Sequence, residues 1–283
     1  HIFFDDKQEA KKWLLMAASR TPTHLVATKA LVMQLDALLM FQDAYQVLGK
    51  AVERFEDQEI QLAWVRRLWE LNQPQQIVDY LKDSPQSFNT EVLAMKAMAH
   101  LQLRQRDQAQ SLIEIINQRK IENQIPARAW SLYFYHAAAE SIDSGKLRDA
   151  CKTALEIDPE NPYILFTLGQ MLRALGERDL ALNAWHRCAL LRSSWGRPLA
   201  RMASVLAETG RLEEARYVAD AAMLRAPSDL EIILAWVTSY GTDLDGLSLP
   251  QVKQLYQVVE QVQKAIPGEP TTLPVQAVLI ARL

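Results

Sequence analysis

Histidine, cysteine and carboxylate side chains are the residues of this sequence that could carry catalysis or bind a metal. His186 and Cys188 stand two positions apart, a spacing that directs them to divergent sides of a helix. His100 and His136 are expected on neighbouring helix faces, but a third ligand of clear origin is lacking, so no metal site is predicted. Cys151 and Cys188 have no Cys-x-x-Cys spacing; a single disulfide between them stays open as an alternative to two buried thiols.

The local motifs of the common enzyme classes are absent from the sequence. It contains no H-E-x-x-H, no G-x-S-x-G, no Walker loop and no G-x-G-x-x-G, and its 9 glycines are scattered singly. Carboxylates such as Glu208, Glu213 and Glu214 occur where solvated helix faces would place them. The sequence therefore predicts a chain that is not an enzyme and that holds no cofactor.

Composition favours long helices as the elements that position the remaining side chains. Of 283 residues, 49% are hydrophobic and 23% charged, with only 9 glycines and 12 prolines. Glycine and proline punctuate turns, so their scarcity argues against turn-rich sandwiches and barrels. A net charge of −3 gives no field for a polyanion, which excludes nucleic acid as an expected partner.

No stretch approaches the roughly 18 uncharged apolar residues that a membrane span needs, and the first residues do not resemble a signal peptide. The sequence thus predicts no membrane insertion by this chain and leaves the compartment, cytoplasmic or periplasmic, open.

A repeat of 34 positions organises the sequence. Gly176, Ala181 and Trp185 are followed 34 positions later by Gly210, Ala215 and Ala219. The stretch before them recurs at the same offset, as Leu165-x-x-Leu168-Gly169-x-x-Leu172 and then as Leu199-x-x-Met202-Ala203-x-x-Leu206. This pattern predicts a first helix, a tight turn and a second helix, in which small residues allow close approach and glycines end the first helix.

In these features the sequence resembles the tetratricopeptide repeat family. The family pattern W-x-x-L-G-x-x-Y…A-x-x-x-F…P is met between Pro162 and Pro227, with leucines for the first tryptophan and the tyrosine, and with Trp185 for the phenylalanine. The resemblance implies an all-α fold, a right-handed α-solenoid superhelix of antiparallel helix pairs, and a role in protein binding.

The repeats are expected to form a single solenoid over residues 1–283. Its predicted units are a half repeat at 1–24, repeats at about 25–57, 58–89, 90–127, 128–161, 162–195, 196–229 and 230–270, and a terminal half repeat at 271–283. Neither end has the polar capping helix that a complete solenoid requires. The sequence therefore predicts a segment of a longer protein or end faces covered by another chain, and it leaves self-association through the ends open.

Most tryptophans are expected in the core. These are Trp64, Trp69, Trp130, Trp185 and Trp236, while the positions of Trp13 and Trp195 are left open. Large aromatic side chains at inward helical positions usually serve packing.

In the family the first helices line a concave groove, and this implies where a partner would bind. The lining by register includes Lys29, Met33, Arg66, Glu70, Met95, Met98, Leu132 and Glu231. The predicted partner-binding residues are Tyr133, His136, Tyr163, Phe166, Gln170, Arg173, Arg197 and Arg201. Aromatic anchors beside arginines suit an apolar side chain with an anionic group nearby.

Arg197 and Arg201 match the basic pair with which some family members clamp a carboxylate, but the family's asparagines are missing, since Thr167, Gln170 and His136 stand there. The leading hypothesis is a non-catalytic interaction scaffold with a protein or peptide partner. Two alternatives stay open: a periplasmic scaffold of a bacterial exopolysaccharide or cell-envelope export system, and the recognition arm of an enzyme whose catalytic domain lies outside this chain.

Overall fold

A computed structural model describes residues 2–20, 23–82, 89–119 and 158–282, together with positions 149, 152, 155 and 156. Within these ranges the chain forms fourteen α-helices and no β-strand. The predicted all-α class is therefore confirmed for the described residues. The structure divides into two compact units, His1–Met171 (unit 1) and Leu172–Leu283 (unit 2).

The described part of unit 1 is a series of α-helices. They are α1 (Ile2–Ser19), α2 (Leu25–Ala37), α3 (Phe41–Val52), α4 (Gln58–Glu70), α5 (Pro74–Tyr80), α6 (Thr90–Gln102) and α7 (Arg106–Gln118), followed by α8 (Pro162–Ala174), within which the unit ends. Ala44 and Ala51 on α3 are fully buried beside Leu35 and Leu48. These small side chains allow α3 to pack closely against α2, as the repeat pattern requires.

Unit 2 continues the same pattern. Its helices after α8 are α9 (Arg178–Leu191), α10 (Arg197–Glu208), α11 (Leu212–Arg225), α12 (Leu230–Gly241), α13 (Leu249–Ala265) and α14 (Leu273–Arg282). Ala203 on α10 and Ala219 on α11 are buried in one core with Trp236 and Val237 on α12. The first helices α10 and α12 therefore pack against each other and against the second helix α11 between them.

A recurring turn ends five of the first helices. In the last of these turns Gly210 N–H donates to the carbonyl of Ala207 at 3.1 Å, and Arg211 N–H donates to that of Leu206 at 2.9 Å, the bonding of a Schellman motif. The residue at the Gly210 position has a positive φ each time: Leu39 (60°), Asn72 (56°), Arg104 (60°), Gly176 (81°) and Gly210 (77°). Residues 90–127 lack a helix-ending glycine in sequence, yet Arg104 adopts the same conformation.

We expect these turns to respond in opposite directions to exchange of their central residue. A Cβ at Gly210 would meet nothing within 4 Å, so Gly210→Ala should cost about 1 kcal/mol of unfolding free energy through backbone strain alone. Arg104→Gly should instead raise the free energy of unfolding by about 0.5–1 kcal/mol, because it removes the backbone strain of a non-glycine residue in the left-handed conformation. Urea unfolding measures both. Equal shifts of the same sign in the two variants would contradict the view that backbone strain at the left-handed position determines their stability.

The tryptophans divide into buried and exposed sets. Trp185, Trp195 and Trp236 are 0%, 2% and 3% exposed, whereas Trp13 is 60% exposed. Trp64 is half-buried and stacks on Tyr45 with ring centroids 5.0 Å apart; Trp69 is also half-buried, and Trp130 lies outside the described residues. The core assignment therefore holds for Trp185 and Trp236, and the structure adds Trp195 to it.

None of the described helices has the length and apolar character needed to cross a bilayer. Among the residues that the structure describes, no three histidine, cysteine or acidic side chains come close enough together to hold a metal ion. Cys188 is buried, and its proposed partner Cys151 lies outside the described residues.

Candidate functional site

The predicted binding residues on α8 differ in their accessibility. Tyr163 is only 3% exposed, so its ring belongs to the interior of the helix packing. Phe166, Gln170 and Arg173 are half-buried, and their spacing of four and three positions places them on one face of α8. Two further predicted residues, Tyr133 and His136, lie outside the described residues.

Three residues expected to line the groove are instead buried, which corrects their assignment. Glu70, Met95 and Met98 are each no more than 1% exposed. Met95 and Met98 belong to α6, which packs against α4, α5 and α7 and is therefore covered on most of its surface. These side chains serve the interior of unit 1 and not an open surface.

The three predicted arginines are all paired with carboxylates of unit 2. Arg173 on α8 bonds to Glu208 on α10. The Nε of Arg197 donates to Oδ2 of Asp229 at 2.9 Å, and the Nε of Arg201 lies 2.7 Å from Oε1 of Glu231. Each arginine thus reaches from one first helix to the next. Arg173 and Arg197 are held by hydrogen bonds to the carboxylates, and Arg201 by the proximity of the opposite charge on Glu231.

Asp229 performs two tasks at the start of α12. Its Oδ1 accepts the backbone N–H of Glu231 at 2.9 Å and so caps the helix. Its Oδ2 accepts the hydrogen bond from Arg197, and its side chain is only 2% exposed. The capped helix start therefore also serves as the anchor for Arg197, which lies within 3.8 Å of Glu231 as well.

The same arrangement occurs in unit 1. Lys29 on α2 reaches Asp57 and Glu59 at the start of α4, with Nζ to oxygen distances of 3.0 and 2.6 Å. Arg66 on α4 bonds to Glu91 in the first turn of α6. Sequence reasoning missed these acidic partners. A signal existed, since each acid lies at the start of a first helix about one repeat after the base.

The ion pairs in unit 1 change the pKa values of their members. The hydrogen bonds from Lys29 to Glu59 and then to Asp57 raise the pKa of the lysine. The backbone N–H of Ile60, and after it Lys29, lowers the pKa of the Asp57 carboxyl against the opposing effect of burial. Both groups are consequently held in their charged forms at neutral pH.

Arg173, Arg197 and Arg201, here called the arginine row, are balanced in charge by their partners. Three guanidinium groups face the carboxylates of Glu208, Asp229 and Glu231. Arg173 and Arg201 nevertheless keep 32% of their side chains exposed, against 13% for Arg197. An arginine carries five N–H donors, so the two exposed groups can donate further hydrogen bonds while their carboxylate partners hold them in place.

Comparison with known proteins gives only weak likenesses. No model of a protein family matches the sequence, and no curated protein is detectably similar to it. Three solved structures illustrate the similarity. The protein designated MamA MSR-1 has a TM-score of 0.43 and 17% identity, over 61% of this chain and 98% of its own. TTC0263, a thermophilic TPR protein of Thermus thermophilus, has a TM-score of 0.40 and 18% identity, over 75% of this chain and 97% of its own. The APC/C hetero-tetramer Cut9-Hcn1 has a TM-score of 0.45 and 13% identity, over 98% of this chain and 59% of its own.

With TM-scores below 0.5, none of these likenesses bears on what this chain binds. Its class follows from its own helices: paired helices, a 34-position offset between Gly176 and Gly210, and left-handed residues ending the first helices. The described residues have a tetratricopeptide-like fold.

Proposed function

We propose that the chain is a non-catalytic protein-interaction scaffold and that it binds a partner segment along the first helices of unit 2. The observation that carries the proposal is the set of arginines that carboxylates hold in place while part of each side chain stays exposed. Preorganised donors lose little side-chain entropy on binding, which favours association.

The charge balance of the row determines what partner it suits. A strongly acidic partner would compete with Glu208 and Glu231 for the same guanidinium groups. A segment that offers single acceptors, such as backbone carbonyls or one carboxylate, can use the remaining N–H donors without breaking the existing pairs. Hydrogen bonds to a charged group contribute about 1.5–3 kcal/mol each.

The proposal is tested by capture and affinity measurement with two variants. Arg173→Gln combined with Arg201→Gln should lower the affinity for a captured partner at least tenfold, because two charge-assisted contacts are lost. The partner is identified by cross-linking mass spectrometry and its affinity is then measured by calorimetry with the purified protein.

Arg211→Gln is the matched control. This arginine is also exposed and paired, with Glu214 on the second helix α11, and should leave affinity unchanged. Equal affinity for the double variant and the native chain, with unchanged circular dichroism, would reject the arginine row as the binding site.

A further inference from the structure

The ion pair between Arg201 and Glu231 differs from those of Arg173 and Arg197. These two arginines each donate a hydrogen bond to their carboxylate partner. The Nε of Arg201 lies 2.7 Å from Oε1 of Glu231, yet neither atom forms a hydrogen bond with any group that the structure describes. At this distance only poor alignment prevents the bond, so the N–H group of Arg201 is directed away from the carboxylate oxygen.

The position of Glu231 between two guanidinium groups accounts for the poor alignment. Its Oε2 lies 3.8 Å from Nε of Arg197, while its Oε1 faces Arg201. Its backbone N–H is fixed by the hydrogen bond to Asp229 at the start of α12. The carboxylate of Glu231 is therefore shared between two positive charges and aligns with neither of them.

Both side chains keep accessible atoms whose hydrogen-bonding capacity is unused. Arg201 is 32% exposed and Glu231 is 28% exposed, although Nε and Oε1 themselves are buried. The exposed part consequently belongs to the remaining atoms, which include the Nη groups of Arg201 and Oε2 of Glu231. A guanidinium group is a donor only, and an ionised carboxylate is an acceptor only. The pair thus offers donors and acceptors side by side.

The charges around the pair exclude a charged binding group. Two guanidinium groups, of Arg197 and Arg201, face the two carboxylates of Asp229 and Glu231. A partner carboxylate bound to Arg201 would meet the negative charge of Glu231, and a partner ammonium group bound to Glu231 would meet Arg201. Juxtaposed like charges are costly at an interface. A neutral group that carries both an acceptor and a donor avoids this cost.

A primary carboxamide, the side-chain group of asparagine and glutamine, has this combination of acceptor and donors. Its oxygen and one of its N–H groups lie along the same edge, so both can bind the adjacent Arg201 and Glu231 at once. A trans backbone peptide group directs its carbonyl and its N–H in opposite directions. One such group therefore reaches only one member of the pair.

We propose that Arg201 and Glu231 together recognise an asparagine or glutamine side chain of the partner segment. The carboxamide oxygen accepts a hydrogen bond from the guanidinium group, and the carboxamide N–H donates to the carboxylate. The inference rests on the proposed scaffold function and specifies the chemistry of the partner at this point of the arginine row. A carboxylate of the same shape has no donor for Glu231 and adds a like charge, so the pair discriminates against it.

Selected peptides are the probes for the test. Random linear heptapeptides displayed on phage are selected on the full chain, after removal of phage that also bind the double variant Arg173→Gln with Arg201→Gln. We expect asparagine or glutamine to be enriched at one position of the remaining sequences. A selected peptide is then compared by fluorescence anisotropy with its Asn→Asp or Gln→Glu counterpart. The carboxamide peptide should bind about tenfold more tightly, because its counterpart loses one hydrogen bond and meets Glu231.

Two glutamate variants locate the origin of this preference. Glu231→Gln should remove or reverse it, because a neutral side chain no longer repels the carboxylate peptide. Glu214→Gln is the matched control, since Glu214 on α11 is also exposed and paired, with Arg211; this variant should retain the preference. Circular dichroism verifies that both variants keep the native helix content.

The possible failures of the two proposals are distinguishable. Bound peptides without enrichment of asparagine or glutamine, equal or tighter binding of the carboxylate peptide, or a preference retained in Glu231→Gln would overturn this inference and leave the scaffold site intact. A selection in which no phage remain after removal on the double variant would reject the arginine row itself, and this inference with it.

Discussion

Arg67→Met should lower the free energy of unfolding by about 3–5 kcal/mol, the largest loss that we expect from any single substitution considered for this protein. Loss of one member of a buried ion pair leaves an uncompensated charge in a poorly solvated place. Arg67 is only 4% exposed, and its acidic neighbour Glu70 is 1% exposed. Methionine retains most of the volume of the arginine stem, so the loss reports the charge and its hydrogen bonds.

The geometry around Arg67 explains why the effect should be large. Its Nη2 donates to both carboxylate oxygens of Asp36 at 2.6 and 2.7 Å, and its Nε lies 3.9 Å from Glu70. The guanidinium group also lies 5.8 Å from the ring centroid of Phe41. Because Asp36 is on α2, Phe41 on α3 and Arg67 on α4, one side chain connects three helices of unit 1.

Chemical unfolding of the native chain and of three variants tests this expectation. Arg67→Met combined with Glu70→Gln should be more stable than Arg67→Met alone, since the second substitution removes a buried carboxylate that has lost the neighbouring guanidinium group. Lys82→Met serves as a control for the loss of an exposed ion pair, with Asp79, and should cost less than about 1 kcal/mol. A cost below that limit for Arg67→Met would show that the buried cluster does not stabilise unit 1.

Asp220→Ala should cost about 2–4 kcal/mol in unit 2. Oδ1 of Asp220 accepts the indole N–H of Trp236 at 2.7 Å, and Oδ2 accepts the hydroxyl of Tyr240 at 2.8 Å. Both donors belong to largely buried rings, 3% and 6% exposed. Asp220 itself is exposed, so its truncation removes two hydrogen bonds to a charged acceptor and we expect a cost of about 1–2 kcal/mol for each.

A double-mutant cycle distinguishes lost hydrogen bonds from general disruption. Asp220→Ala should cost less in a Tyr240→Phe background, because only the indole N–H then loses its acceptor. The pKa of Tyr240, which burial and then the hydrogen bond to Asp220 raise, should fall in Asp220→Ala when followed by absorbance in alkaline solution. Full additivity of the two substitutions would contradict direct coupling.

These two clusters hold the helices that carry the candidate sites. Arg67 connects α2 to α4 within unit 1, and Asp220 fixes α12 on α11 in unit 2. Because α12 begins with Asp229 and Glu231, its position determines where Arg197 and Arg201 are held. We therefore expect Asp220→Ala also to weaken partner binding when the variant is measured below its unfolding temperature.

The sequence by itself determined the helix class and the repeat. The offset of 34 between Gly176 and Gly210 and the alanines on the second helices are local signals, because a tight turn and a close helix contact each require particular residue types at fixed spacing. It also predicted that Trp185 and Trp236 pack inward, whereas it left open the position of Trp195, which is buried as well.

Only the tertiary structure decided the environment of each charged and apolar side chain. Arg197 and Arg201 are visible in sequence as a basic pair, but their partners Asp229 and Glu231 lie at the start of the next first helix, α12. Met95 and Met98 satisfy the register of a groove, yet neighbouring helices bury them. Periodicity identifies the side of a helix that a residue occupies, whereas burial and ion pairing depend on what another part of the chain places against that side.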